Sequence, residues 1–276
     1  MKIRIVVDSS ADLSTNEDKS IVSVPLKIMT DEKEYVDDET LDVEAMTNDL
    51  ASYKGRSGSA CPGVGEWLDA FGDAEWVFGI TITSNLSGCY NSAMVAKETY
   101  ESEYPDRRVY IIDSLSTGPE MQLIVEKLQE LIREGKTFEE ICDAVKSYQK
   151  KTFLLFCLKS LTNLANNGRV SPTVAKIAGI LDIHVVGRAS EVGTLEQKDK
   201  VRKERKAIPC LLKNMKELGY KGGKVIIDHC LNENAAMQLK VLIKEEFKNA
   251  DIRIGKTGGL CSFYAEQGGL LVGFES

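Results

Sequence analysis

Trp76-Val77-Phe78-Gly79-Ile80-Thr81-Ile82-Thr83-Ser84-Asn85-Leu86-Ser87-Gly88 passes from an apolar stretch into a polar one, and helical spacing resumes at Tyr90. An unbroken apolar run of this length reads as a strand buried on both faces, and the sudden change to small polar residues reads as a strand-to-helix turn. Strand, polar turn and helix in that order make an anion site. The first N–H groups of such a helix lack intrahelical partners and lie at the positive end of its dipole, so the hydroxyls of Ser84 and Ser87 beside them can hold a carboxylate or a phosphate. Ordinary N-capping by serine accounts for the same residues and stays open at this point.

Outward from this stretch, strands are expected at residues 2–7, 21–28, 77–82 and 109–113, with helical spacing at 43–51, 63–71, 89–100 and 119–134. That alternation means a parallel sheet with crossover helices. Residues 137–151 form a further amphipathic helix, with Thr137 as N-cap and Glu140 three residues later as the partner of a capping box. Beyond it come strands at 152–157 and 183–186, short helices at 160–165 and 173–180, and a short segment at 191–195. A helix at 199–218, a strand at 223–229, a helix at 232–247 and strands near Ile252 and at 270–274 complete the chain. The connection 185–194 reads as a hairpin. The fold class is therefore α/β with two domains: 1–150 with a parallel sheet, and 151–276 with a mixed or largely antiparallel one.

The chain has 276 residues and 43% hydrophobic content, enough for a well-packed core. A formal net charge of -7 argues against a nucleic-acid surface, which wants a basic stripe. The basic segment 198–206 is interleaved with acids and reads as a solvated helix face. Seven cysteines without a C-x-x-C pair suit neither a disulfide framework nor a zinc site, so they read as reduced residues, mostly in the core. The chain opens directly into a strand, and no run approaches the ~20 apolar residues of a membrane span, so a cytoplasmic, soluble protein is expected.

Four loops carry hydroxyls or carboxylates: Asp8 to Asp12, Ser57 to Pro62, Ser84 to Ser87, and Asp113-Ser114. All but the second directly follow a strand, so in a parallel sheet they converge on its carboxyl edge, where such folds bind ligands. Asp8 suits either a nucleophile or metal ligand, or an Asx-turn closing its own loop, and no second acidic cluster with magnesium spacing follows. His184 and His229 fall in expected strands away from any serine, which leaves a catalytic triad poorly supported. Neither G-x-x-x-x-G-K-[ST] nor G-x-G-x-x-G occurs, so the usual phosphate cradle of a nucleotide enzyme is missing. Cys89 abuts the anion loop at a helix start, where a thiolate could be stabilised, although a buried structural cysteine fits as well.

With these residues in view the chain resembles the DegV family. The likeness rests on Val7-Asp8-Ser9-Ser10-Ala11-Asp12-Leu13, on Ser59-Ala60-Cys61-Pro62, on Ser84 to Ala93, on Asp113-Ser114, and on Leu161-Thr162-Asn163-Leu164 running into Gly168-Arg169-Val170-Ser171. It implies a fatty-acid-binding subunit of a bacterial fatty acid kinase, with no catalysis of its own. A long-chain fatty acid would be buried between two α/β domains, its carboxylate held by Ser59 and Ser87, with Ser84 and Gly88 in the same loop. An ATP-dependent kinase subunit would then phosphorylate that carboxylate, docking through Arg169. Two departures from the family pattern stand out. Ser59 replaces a frequent threonine, and Tyr264 falls where a histidine commonly reaches the carboxylate; its phenol can donate the same hydrogen bond or merely pack.

The expected acyl wall comprises Phe153, Leu155, Phe156, Leu158, Leu161, Leu164 and Ile177. The expected partners are a long-chain fatty acid and the kinase subunit. Neither nucleic acid nor stable membrane insertion is expected, only transient membrane contact for lipid exchange, and no cofactor or metal. The rival reading is a small α/β hydrolase or phosphotransferase using Asp8 or a serine of the anion loop, which lacks an evident base.

Overall fold

The apolar run at the centre of the sequence is a strand, flanked on both sides by parallel neighbours. The computed structural model of the protein describes residues 1–171 and 182–276. Its elements begin with Ile3–Asp8 (β1), Ile21–Val24 (β2), Lys27–Thr30 (β3), Glu34–Val36 (β4), Val43–Ser52 (α1), Ser57–Ala60 (β5) and Val64–Phe71 (α2). Trp76–Thr81 (β6), Cys89–Glu103 (α3), Arg108–Asp113 (β7), Pro119–Arg133 (α4) and Phe138–Tyr148 (α5) follow. Then come Thr152–Leu158 (β8), Thr162–Asn166 (α6), Ile183–Ala189 (β9), Leu195–Arg202 (β10) and Glu204–Glu217 (α7). Lys224–His229 (β11), Glu233–Glu246 (α8), Asp251–Lys256 (β12), Gly259–Ala265 (α9) and Leu270–Glu275 (β13) close the described chain. The helix expected at 173–180, and with it Ile177, lies outside the described residues.

A four-stranded sheet of order β2-β1-β6-β7 is parallel throughout. The pleat sends Ile5 and Val7 to one face, with Phe78 and Ile80, against Ile124 and Leu128 of α4 and Ile141 of α5. Val6, Val77 and Val109 go to the other, against Trp67 and Phe71 of α2 and Ala93 and Ala96 of α3. Burial on both faces explains why these strands read as continuous apolar runs. The second sheet, β10-β9-β8-β13-β11-β12, is antiparallel except for the β11–β12 pair. One of its faces packs on α7 and α8 through Leu155, Val272, Phe274, Leu211 and Leu239. Leu154, Phe156, Leu158 and Leu271 point to the other face. The start of α4 crosses that face so closely that a Cβ on Gly273 would lie 2.6 Å from the Pro119 carbonyl carbon. Only glycine fits there, and the contact brings the loop after β7 against the second sheet.

Four expectations change. The strand expected over 21–28 is two strands in different sheets, because Pro25 has no N–H to continue the ladder; the Leu26 N–H instead donates to Ser9 Oγ at 3.0 Å. Ser57–Ala60, read as a loop, is β5 of a small antiparallel sheet, β4-β3-β5. The helix expected from 199 starts at Glu204, and the residues before it form a charged edge strand whose Glu196 pairs with Arg188 across the hairpin at 2.7 Å. Charge along an edge strand discourages pairing with other chains. Finally α9, where no element was expected between the strands near Ile252 and at 270–274, is a helix. The capping box holds: the Glu140 N–H donates to Thr137 Oγ1 at 3.3 Å, and the Thr137 N–H to Glu140 Oε2 at 2.8 Å.

Candidate functional site

The loops after β1, β6 and β7 meet at the carboxyl edge of the parallel sheet and brace one another. The Thr83 N–H donates to the Ser116 carbonyl at 2.9 Å, and the Ser84 N–H to Asp113 Oδ1 at 3.1 Å. Asp8 has no exposure to solvent. Its carboxylate accepts from the Ser10 N–H at 3.1 Å, from the Ser10 hydroxyl, and from the Ile82 N–H at 2.7 Å. Burial pushes its carboxyl up to about 6, against the opposing pull of those donors. Asp8 is thus the Asx-type brace joining the ends of β1 and β6, the second of the two readings its sequence allowed, and it does not line the cavity described below.

Two more aspartates fix α9. The Gly258 N–H donates to Asp12 Oδ1 at 2.8 Å. Asp37 accepts from the Gly259 N–H at 2.6 Å, the Leu260 N–H at 2.9 Å and the Ser9 hydroxyl at 2.8 Å. The orphan N–H groups of a seven-residue helix are therefore met by a carboxylate from a segment more than two hundred residues earlier. Desolvation pushes Asp37 up, and it pushes Asp12 well up with help from Asp228 and Asp37. Sequence reasoning passed over Asp37, which lies in no recognised motif and stands in the acidic run Asp37-Asp38-Glu39 that reads as a solvated turn.

Anchored in this way, α9 presents Leu260, Cys261, Tyr264 and Ala265 to a cavity of about 680 Å³, mouth included. Leu154, Phe156, Leu158 and Leu271 form the opposite wall, and Leu26, Ile82 and Leu195 contribute from other elements. Leucine is the commonest residue of the lining. Its polar members are few: Ser59, Ser87, Thr117, Arg169 and Tyr264. The Ser59 hydroxyl and the Tyr264 phenol share a hydrogen bond of 2.7 Å. Ser87 stands at the start of α3, where the Cys89 N–H donates to its hydroxyl at 3.3 Å. The loops carrying Ser59 and Ser87 are adjacent, since a Cβ on Gly88 would lie 3.2 Å from Cys61 Sγ. Arg169 donates from Nε to the Leu86 carbonyl at 3.2 Å and from Nη1 to the Asn167 carbonyl, so its guanidinium braces the same loop from the far side. A mostly apolar lining with a few polar groups suits one amphipathic small molecule.

Ser59, Ser87, Tyr264, Phe156, Leu164 and Arg169 therefore come together, as the sequence proposed. Leu161 does not line the cavity and is buried in the same apolar cluster as Leu158 and Leu164, which do. Phe153 and Leu155 do not line the cavity. They sit on the opposite face of β8, where the Phe153 ring stacks on Phe274 at 5.6 Å. A period-two count from Phe156 would have placed them there. Ser84 and Gly88 are absent from the lining: Ser84 is exposed and tied to Asp113, and Gly88 backs onto Cys61. Both histidines are buried, and the Nδ1 of His229 accepts from the Asn232 N–H at 3.2 Å. Among the described residues no group of His, Cys, Asp and Glu could hold a metal ion, and no helix is long and apolar enough to cross a membrane.

The DegV family model, described as that of an uncharacterised protein family, matches residues 2–276. The chain belongs to the DegV family. A DegV domain-containing protein of Streptococcus pneumoniae is 43% identical over 279 residues, spanning 100% of this chain and 99% of its own. Two crystal structures share the fold with a TM-score of 0.96. One is a DegV family protein from Eubacterium eligens loaded with heptadecanoic acid, 46% identical over 99% of each chain. The other is the Streptococcus pneumoniae Fatty Acid Kinase (Fak) B3 protein loaded with linoleic acid, 43% identical over 100% of this chain and 99% of that one.

The anchoring of α9 makes a direct prediction. Asp37→Ala strips the acceptor from two backbone N–H groups and a buried hydroxyl, so it should cost roughly 3 kcal/mol of stability, read by urea denaturation. A loss below about 1 kcal/mol would show that α9 is held by its apolar face alone.

Proposed function

We propose that this DegV family protein binds one long-chain fatty acid, with the acyl chain in the leucine-lined cavity and the carboxylate at the Ser59, Ser87 and Tyr264 hydroxyls. The observation that carries the reading is a cavity lined mainly by apolar side chains into which the bonded Ser59–Tyr264 hydroxyl pair and, on the adjacent segment, Ser87 project. The ligands of its relatives from E. eligens and S. pneumoniae, heptadecanoic and linoleic acid, support it. In this reading residues 1–150 supply most of the carboxylate loops, and residues 151–276 enclose most of the chain.

The two parts of the ligand do different work. A buried methylene contributes about 0.8 kcal/mol, so ~15 of them offer on the order of 12 kcal/mol before the costs of association. A hydrogen bond from a hydroxyl to a carboxylate contributes roughly 1.5–3 kcal/mol. The tail supplies the affinity and the corner the orientation. Ser59 and Tyr264 now bond each other; both hydroxyls can turn to donate to the same carboxylate, which takes over the acceptor role each serves for the other. Tyr264 then does the work of the histidine common in the family.

The carboxylate, rather than the tail, faces the mouth, which suits a protein that presents its ligand to a second one. The partner in this reading is an ATP-dependent kinase subunit that converts the carboxylate to an acyl phosphate. The name of the S. pneumoniae relative supports that partner class. Arg169, half-buried at the rim with its fork already braced on the anion loop, is the docking contact.

Ser87→Ala should weaken retention of a labelled long-chain fatty acid by ~10-fold, and Ser59→Ala with it by more, at unchanged thermal stability. Retention equal to the parent protein would remove the carboxylate assignment. Arg169→Ala should keep the lipid yet slow acyl-phosphate formation in a reconstituted kinase assay. Normal formation would end its docking role.

A further inference from the structure

Cys61 and Cys89 lie on the two loops that hold the polar corner: Cys61 two residues after Ser59, Cys89 two residues after Ser87. All seven cysteines are free, and these two differ sharply in surroundings. Cys61 is exposed and Cys89 is completely buried at the first turn of α3. Gly88 allows their approach, since any side chain there would meet Cys61 Sγ at 3.2 Å. The Cys89 sulfur also accepts from the Ser87 hydroxyl at 3.2 Å. The neighbouring Cys89 thiol draws Cys61 down to about 6, and Cys61 together with burial pushes Cys89 up. An exposed thiolate beside a second, sheltered thiol is the arrangement that reacts with peroxides and then resolves to a disulfide.

We propose that Cys61 and Cys89 form a peroxide-responsive pair whose disulfide clamps together the loops carrying Ser59 and Ser87. The cross-link itself stands on the two sulfurs alone; its consequence for ligand exchange rests on the fatty-acid reading above. The Cys61 thiolate attacks one oxygen of a hydroperoxide, forming an S–O bond as the O–O bond breaks. The sulfur is oxidised by two electrons to a sulfenic acid, and the departing oxygen takes a proton to leave as water or an alcohol. The Cys89 sulfur then attacks the Cys61 sulfur. The S–S bond forms, the S–O bond breaks, and hydroxide leaves as water with the Cys89 proton. One hydroperoxide and two thiols give one disulfide, one water, and a second water or an alcohol. An acyl chain enters beside the polar corner, so loops joined by a covalent bond part less readily, and exchange slows.

The test treats the full chain with hydrogen peroxide, blocks free thiols with N-ethylmaleimide and maps peptides by mass spectrometry without reduction. The expected result is a Cys61–Cys89 cross-link, reversed by dithiothreitol and abolished in Cys61→Ser, an exposed site whose exchange for serine leaves folding and lipid retention intact. Recovery of Cys61 only as alkylated or over-oxidised thiol, with no cross-linked peptide, would overturn the pair. Exchange of a labelled fatty acid should be ~10-fold slower in the cross-linked protein, a rise of about 1.4 kcal/mol in the barrier, and should return to its original rate on reduction. Unchanged exchange in fully cross-linked protein would overturn the clamp. Failure of the fatty-acid reading shows separately, as reduced protein that takes up no lipid while the peptide map still contains the cross-link.

Discussion

The buried carboxylate of Asp37 is the contact on which the rest of the site depends. It accepts hydrogen bonds from Ser9, beside the end of β1, and from the first two N–H groups of α9. Through it the parallel sheet sets the position of a helix near the other end of the chain. A carboxylate taken out of water is costly unless its oxygens are met, and here the donors are N–H groups at the positive end of a helix. Asp12 repeats the arrangement one residue earlier, at Gly258. Without these two side chains α9 would be a short helix with glycine at its cap and first position and little reason to persist alone.

Everything the cavity needs follows from where α9 stops. Its inner face carries Tyr264 to Ser59, and Leu260, Cys261 and Ala265 to the apolar wall on β8 and β13. Polar side chains are few in this lining, and most of the remaining surface has nothing to offer but burial. A ligand with a single charged end and a long apolar body is the natural complement, because each of its parts meets surface of its own kind. In the proposed orientation the carboxylate meets the hydroxyls of Ser59, Ser87 and Tyr264, and the apolar body meets the leucines.

How much of this was legible in the sequence depended on whether the deciding interaction was local. The parallel sheet was readable because strands covered on both faces are apolar at every position, as in Trp76–Thr81, and the capping box at Thr137 and Glu140 is complete within four residues. The motif serines 59 and 87 were readable by resemblance, and both reach the cavity. Three features were hidden. β5 is Ser-Gly-Ser-Ala, with no alternation to betray it, and is a strand only because β3 pairs with it. The end of α9 is fixed by Asp37, which no window of sequence contains. The edge strand β10 alternates charges in a way that reads as a helix face, and its hairpin partner decides otherwise. Phe153 was misassigned for the converse reason: β8 is apolar on both faces, so composition does not separate wall from core, whereas the pleat does.

The most direct measurement is denaturing extraction of the freshly purified protein, followed by mass spectrometry of whatever lipid it releases. The account predicts close to one long-chain fatty acid per protein chain, lost when the cavity is filled by a bulky substitution such as Leu164→Trp. A protein that carries no lipid, and that takes up none when long-chain fatty acids are supplied, would contradict it.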